Sequence, residues 1–420
     1  MQVPVLNSAI GLLTNKTAEN GKIPDSGSLP TIYVLKWGGL GSALATWPFL
    51  QALREKFSPP HRIIYITSAS NAPLIERMGL VDQILVLEPR GFLTLSTLRL
   101  VRQLRRASPA LFFDLQIHTH RRLAARIARR SKARQHFAFF RPREHPVGDG
   151  YRIYANPFAP VDQLYLEMAR LAGAEPVRQQ PWRRLAVNQR DDNFAAALLH
   201  GWVSARDHLL IVNPNASATA YVRRWPLSHY AEAIRILLKD MPRLKIALIG
   251  AAAEAGYVAG LRRLLPADER RVKNLAGLTS LGSLMALLSR ADCLLSNDSG
   301  PLHLAIALGV PVVGLFGPVH PDHNARLGRT ERKIVLYQPV LCSPCVHYVA
   351  APPCGGDNLC MKMIAPANAA AACRVLIDAA PSSSRPVAQE WLFSSRTQGA
   401  PPRHGFTAKS VEIRKTHECH

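Results

Sequence analysis

Asp298, Ser299, Gly300 and His303 fall within one short stretch, "NDSGPLHLAIALGVPVVGLFGP" (297–318). A polar cluster ends one apolar run, an apolar helical pattern follows, and Gly-Val-Pro opens a second run. This predicts strand, helix, strand. The first N–H groups of a helix lack internal partners and carry partial positive charge, so such a corner binds phosphate. Gly300 lets a phosphate approach the backbone closely. Ser299 can cap the helix or donate to a phosphate oxygen, and His303 lies one turn along. Taken singly, each residue is as readily structural, because Asp and Ser are ordinary helix caps. Asp-Ser-Gly-x-x-His at a strand–helix junction, followed by Gly-x-Pro and another strand, is far more specific.

Other corners have the same form. In "NPNASATAYVRRWP" (213–226) a strand ends in Asn-Pro. Ser217 and Thr219 can donate to phosphate oxygens. Arg223 can clamp a diphosphate without metal, since guanidinium forms paired bonds to such oxygens. Arg224 reads as an ordinary loop residue, and Pro226 suits a helix start. In "IGAAAE" (249–254) Glu254 can bond ribose hydroxyls, or simply sit as a favourable charge in a first turn. In "VLKWGGLGSALAT" (34–46) a strand runs into Gly38-Gly39-Leu40-Gly41. That is not Gly-x-Gly-x-x-Gly, and no acid follows about twenty residues on, so a resident dinucleotide is not expected.

The elements that must position these residues alternate. "TIYVLKW" (31–37), "RIIYIT" (62–67), "VDQILVL" (81–87) and "ALFFDLQIH" (110–118) read as strands. Helical patterns separate them, including one over 42–57. After a less regular middle the grammar restarts at "HLLIVNPNAS" (208–217) and runs to a terminal helix at 366–380. Alternation of this kind means parallel strands joined by crossover helices. The 420 residues therefore divide into two α/β domains, 31–195 and 205–380, between flexible tails at 1–30 and 381–420. Open parallel sheets bind ligands at the carboxyl ends of their strands, and the polar corners all fall there.

An apolar fraction of 48% suits sizeable cores. No run approaches the roughly 18 apolar residues of a membrane span, and the N-terminus lacks the pattern of a signal peptide. A cytoplasmic protein is expected. The net charge of +23, from 52 Lys+Arg against 29 Asp+Glu, favours anionic partners. "RRLAARIARRSKAR" (121–134) holds seven basic residues and no acid. It reads as a solvated helix face, or more sharply as a surface for anionic lipid at the inner membrane or a phosphorylated acceptor. Without interleaved aromatics or a recognised module, nucleic acid is not an expected partner.

These residues resemble glycosyltransferase family 9, the ADP-heptose:lipopolysaccharide heptosyltransferases. "NDSGPLHLAIALGVPVVGLFGP" is similar to its C-terminal signature. "NPNAS…RRWP", "IGAAAE" and "NLAGLTSLGSLMALLSRAD" (274–292) follow its pattern in order, and "VLKWGGLGSALATWPFLQALREKF" resembles its opening. The resemblance spans roughly 31–375. It implies a GT-B architecture: two Rossmann-like domains facing a cleft, the C-terminal one holding a nucleotide sugar and the N-terminal one a glycan or glycolipid acceptor. It implies inverting transfer with no metal in the chemistry. By position, Arg223 matches a donor-phosphate contact, Glu254 a carboxylate near the ribose, and Asp298, Ser299, Gly300 and His303 the donor corner. One departure matters. The family has Gly-Asp where this chain has Gly41-Ser42, and that Asp is the proposed base. A serine hydroxyl does not titrate near neutrality. Another residue must then act as base, with Asp114, His118 and His120 as candidates and the structural reading favoured for Asp114, or transfer relies on donor activation, or the protein is an idle binder of nucleotide sugars. Other GT-B enzymes, such as a sugar epimerase, fit the signature less well.

Four of the seven cysteines cluster as Cys342-x2-Cys345-x8-Cys354-x5-Cys360. In a cytosolic chain a disulfide framework is not expected. Four thiolates suit a structural zinc; free buried thiols are the competing reading.

Overall fold

The structure is a computed structural model. It describes residues 31–117, 119–140, 150–156, 159–175, 185, 187–216, 218–324, 332–346, 349 and 352–379, together with the backbone of 12–14 and 390–392. Most of the tails expected at 1–30 and 381–420 lies outside these residues.

The first sheet contains β1 (Leu12–Thr14), β2 (Thr31–Leu35), β3 (Arg62–Thr67), β4 (Gln83–Val86), β5 (Leu111–Asp114), β6 (Gln135–Phe140) and β7 (Tyr151–Tyr154). Its order is β1-β4-β3-β2-β5-β6-β7. Six strands are parallel, and β1 adds an antiparallel edge with Leu12 opposite Leu85. Helices α1 (Leu40–Leu44), α2 (Trp47–Lys56), α3 (Ala72–Met78), α4 (Leu95–Ala107), α5 (Arg121–Arg130), α6 (Val161–Leu171) and α7 (Gln189–Leu199) accompany it. The second sheet is wholly parallel, in the order β10-β9-β8-β11-β12-β13-β14. Its strands are β8 (His208–Asn213), β9 (Leu244–Leu248), β10 (Val272–Asn274), β11 (Cys293–Asn297), β12 (Val312–Phe316), β13 (Lys333–Tyr337) and β14 (Glu390–Leu392). Helices α8 (Leu227–Asp240), α9 (Ala255–Arg263), α10 (Leu281–Ser289), α11 (Gly300–Leu308), α12 (Pro321–Asn324), α13 (Leu359–Lys362) and α14 (Pro366–Asp378) accompany them.

The central strands are buried on both faces, as a helix-covered parallel sheet requires. The helix expected over 42–57 is two helices. Pro48 has no N–H for the carbonyl four residues back, so the chain breaks after Leu44 and restarts at Trp47. Thr46 eases the break by donating its hydroxyl to the Ala43 carbonyl at 2.7 Å.

The two sheets share one apolar cluster, which runs from Ile32, Leu44 and Phe49 to Leu302, Leu304 and Phe316. Helix α1 packs on α11, and α7 on α10. Two ion pairs anchor α7: Arg77 Nη2 to Asp191 at 2.7 Å and Arg290 Nη2 to Asp192 at 2.9 Å. The first is mostly shielded from solvent and lies over Gly282, where a Cβ would run into both the Asp191 carboxylate and the Arg77 guanidinium.

Gly282→Ala should therefore displace the Arg77–Asp191 pair and lower unfolding free energy by about 1 kcal/mol or more. Chemical denaturation reads this. Adding Asp191→Ala should cost less than the sum of the single changes, because the two effects share one contact.

Candidate active site

Strand β11 ends at Asn297 and delivers Asp298 into the interior, where only 2% of it is exposed. A buried carboxylate is tolerated only when paired. Two partners of Asp298 shape the site. Its Oδ2 meets Arg223 Nη1 at 3.0 Å, and its Oδ1 meets His303 Nε2 at 3.0 Å. With Nε2 directed at the carboxylate, Nδ1 is the ring nitrogen left for another partner. Among the described residues that Nδ1 and Arg223 Nε have no hydrogen-bond partner. A buried polar atom in that state costs about 1–3 kcal/mol, so both mark where a ligand would be satisfied.

Asparagines hold the corner together. Asn297 donates its amide to the Pro214 carbonyl at 2.8 Å and accepts the Trp225 backbone N–H at 3.0 Å. This laces both ends of the 213–225 loop to β11. Trp225, fully buried, donates its indole N–H to Ile364 at 3.1 Å. Asn213 donates to Ser296 Oγ at 3.0 Å and to Ser299 Oγ at 2.9 Å. Ser299 is the N-cap residue of α11, yet its hydroxyl makes no cap bond. Ser296 donates to the Asn297 carbonyl at 2.9 Å, so Ser299 donates to Ser296, 3.0 Å away. The expected cap or phosphate donor is thus held inside this network. The first-turn donors of α11 are then the N–H groups of Gly300 and Leu302, since Pro301 has none.

The N-terminal domain closes against this corner. A Cβ on Gly41 would stand 2.5 Å from His303 Cδ2, and one on Gly300 would stand 3.1 Å from Leu40 Cβ. The approach demands glycine at 41 and leaves little room for a side chain at 300. Ser42 follows Gly41 on α1 and is partly exposed. His323 on α12 was not singled out in the sequence. It is buried, engages the Ala159 backbone across the cleft, and lies in the fields of Asp298 and Arg223; burial lowers its pKa. Its one signal was a position just past the carboxyl end of β12.

The remaining expected residues separate. Arg224 donates twice to the Ala216 carbonyl, at 3.2 and 3.0 Å, and stacks on Tyr257, so it closes its own loop. Glu254 accepts the Ala251 N–H at 2.9 Å, which occupies one of its oxygens in the turn before α9. Ser217 and the side chain of Thr219 lie outside the described residues, as does His118. Asp114 is buried at the end of β5. Burial raises its carboxyl pKa to about 7, against the lowering effects of the Gln116 N–H, Arg121, Lys36 and Arg152. Burial also lowers Lys36 to about 8, and its ammonium donates to the Leu115 carbonyl at 3.1 Å. That bond ties the end of β2 to the end of β5. His120 is exposed, in a left-handed conformation with its ring edge-on to Trp37.

Cys342, Cys345, Cys354 and Cys360 line one cavity of about 760 Å³ that Val222, next to Arg223, also touches. Backbone N–H groups of Asn358, Gly356 and Asp357 lower the Cys354 thiol, while burial raises Cys345 and takes Cys360 up to about 11. Among the described residues no three His, Cys, Asp or Glu side chains already stand in an ion-holding geometry.

Lipopolysaccharide heptosyltransferase 2 of Escherichia coli K12 is 36% identical over 116 residues, which is 27% of this chain and 32% of that protein. The chain thus spans about a third of the length of such curated relatives. The solved structure of E. coli ADP-heptose lps heptosyltransferase II matches with a TM-score of 0.63 at 20% identity, over 83% of this chain and 98% of that one. E. coli heptosyltransferase WaaC with ADP-2-deoxy-2-fluoro heptose matches with a TM-score of 0.54 at 16% identity, over 83% and 98%. These two likenesses establish the GT-B fold. The family profile of glycosyltransferase family 9 (heptosyltransferase) matches residues 126–354, more than half of the 420. With the Asp-Ser-Gly-x-x-His corner set against a glycine turn across the cleft, the chain belongs to glycosyltransferase family 9.

Proposed function

We propose that this protein is an inverting glycosyltransferase that moves a sugar, heptose from ADP-heptose, onto a lipopolysaccharide-core glycan. One observation carries the reading. Asp298 clamps Arg223 and His303 beside the open end of α11, leaving the Arg223 Nε–H donor without a partner among the described residues. That corner offers positive charge and N–H donors to a diphosphate at the carboxyl ends of a parallel sheet. A relative with a similar fold has been solved with an ADP-heptose analogue.

In this reading the acceptor hydroxyl attacks the anomeric carbon opposite the diphosphate, through an oxocarbenium-like transition state. Negative charge grows on the leaving diphosphate. The Gly300 end of α11 and the Arg223 guanidinium stabilise it, and in this reading no metal takes part. Ser42 cannot take the acceptor proton at neutral pH. His303 packs against Gly41, next to Ser42, and its Nδ1 has no partner among the described residues, so it is assigned that role.

ADP-heptose should raise the thermal midpoint, with or without EDTA, because a ligand that binds only the folded state stabilises it. Arg223→Ala should lower turnover by about 10²–10³-fold and shrink that shift. His303→Gln, which can still donate to Asp298, should keep the shift and lose transfer. No shift with any nucleotide sugar would overturn the donor assignment. An Arg223→Ala variant with unchanged turnover would remove that residue from the chemistry.

We also propose that the four cysteines hold a structural zinc. Their number and kind suit tetrahedral zinc, and Cys354 is already biased toward thiolate by its turn. Mass-spectrometric metal analysis should give one zinc per chain, falling to near zero in Cys354→Ser/Cys360→Ser with a lower thermal midpoint. Zinc-free purified protein with unchanged stability would favour plain thiols.

A further inference from the structure

Helices α4 and α5 pack side by side on the first sheet. Neither contains an acidic residue. The outward stripe of α4 begins with leucines and continues with arginines: Leu95, Leu98, Arg99, Arg102, Arg105 and Arg106 are all exposed. That of α5 carries Arg122, Arg126, Arg129 and Arg130. None of these eight arginines has an acidic partner among the described residues.

The leucines do not fit a solvated face. Leu93 is 84% exposed, Leu95 71% and Leu98 41%. Isolated exposed leucines need no explanation, but three within six residues form a patch. The turn that presents them is built. Thr94 caps α4 by accepting the Thr97 N–H at 3.3 Å and donates to the Gly91 carbonyl at 3.1 Å. Beside it, Arg130 of α5 lies over the Phe92 ring at 4.6 Å, which joins the leucine tip to the arginine field.

We propose that this face docks on an anionic phospholipid bilayer. The leucines enter the acyl boundary and the arginines meet the headgroup phosphates. A soluble polyanion would satisfy the arginines and leave the leucines in water. A neutral protein partner would cover the leucines and leave the arginines uncompensated. An anionic lipid surface uses both. Such docking would bring the cleft to a lipid-anchored acceptor. That consequence rests on the transfer reading, whereas the surface itself does not.

Flotation of the purified full chain with vesicles tests this. Vesicles with about one-third phosphatidylglycerol should capture the protein, and pure phosphatidylcholine should not. Arg122→Glu/Arg126→Glu/Arg129→Glu should weaken capture by about a hundredfold or more. Leu93→Ser/Leu95→Ser/Leu98→Ser should weaken it at least about tenfold, and should leave any ADP-heptose thermal shift intact. Three results would overturn the proposal: no capture by the anionic vesicles, capture indifferent to both variants, or DNA binding of equal strength that ignores the leucines. A vesicle result is readable whether or not a nucleotide sugar binds, so the two readings can fail separately.

Discussion

A carboxylate buried to the extent of Asp298 must be neutralised where it stands, and most of the site follows from that requirement. Two of its partners come from different elements, Arg223 from the 213–225 loop and His303 from the first turns of α11. Removing Arg223 would leave the buried carboxylate without its cation, at about 3–5 kcal/mol. The pairing therefore fixes a long loop against a helix start. Asn297 reinforces it by binding both ends of that loop, and Asn213 gathers the hydroxyls of Ser296 and Ser299 beneath. Because His303 is held by Asp298, its ring can serve as a flat surface onto which Gly41 of the other domain closes.

The same pairing sets the electrostatics of the corner. Arg223 and Asp298 nearly cancel, so the net positive potential comes from the helix end, equivalent to about half a charge. The guanidinium faces Asp298 with one nitrogen and retains an unpartnered Nε. A diphosphate here would meet an arginine that is already oriented and partly desolvated, which is the preorganisation that leaving-group stabilisation needs. Domain closure sets a glycine against a side chain on each wall, Gly41 against the His303 ring and Gly300 against Leu40.

Much of this was legible in the sequence. Polar clusters at the ends of apolar runs located the corners, because ligand-facing residues in an open parallel sheet lie at strand ends. The pairings among those residues were not legible. Nothing in the spacing of 75 positions between Arg223 and Asp298 says that the two touch, and Arg223 read as a free clamp. Ser299 read as a cap because the sequence cannot show that Asn213 and Ser296 engage its hydroxyl first. His323 was missed because a short helix after β12 gives no periodic signal. In the middle of the chain, β6, β7 and α6 went unread: aromatic-rich "QHFAFF" and "YRIY" do not show the aliphatic runs of the other strands. The single helix over 42–57 failed at Pro48, where a missing donor outweighed continuous apolar periodicity.

The central claim is that a nucleotide diphosphate sits on the open end of α11 against the Asp298–Arg223 pair. The crystal structure of the complex with ADP tests it most directly. The claim predicts diphosphate oxygens within hydrogen-bonding distance of the Gly300 N–H and of Arg223, with Asp298 and His303 still paired beneath. ADP bound elsewhere in the cleft, or bound at this corner with its phosphates turned away from α11, would contradict it.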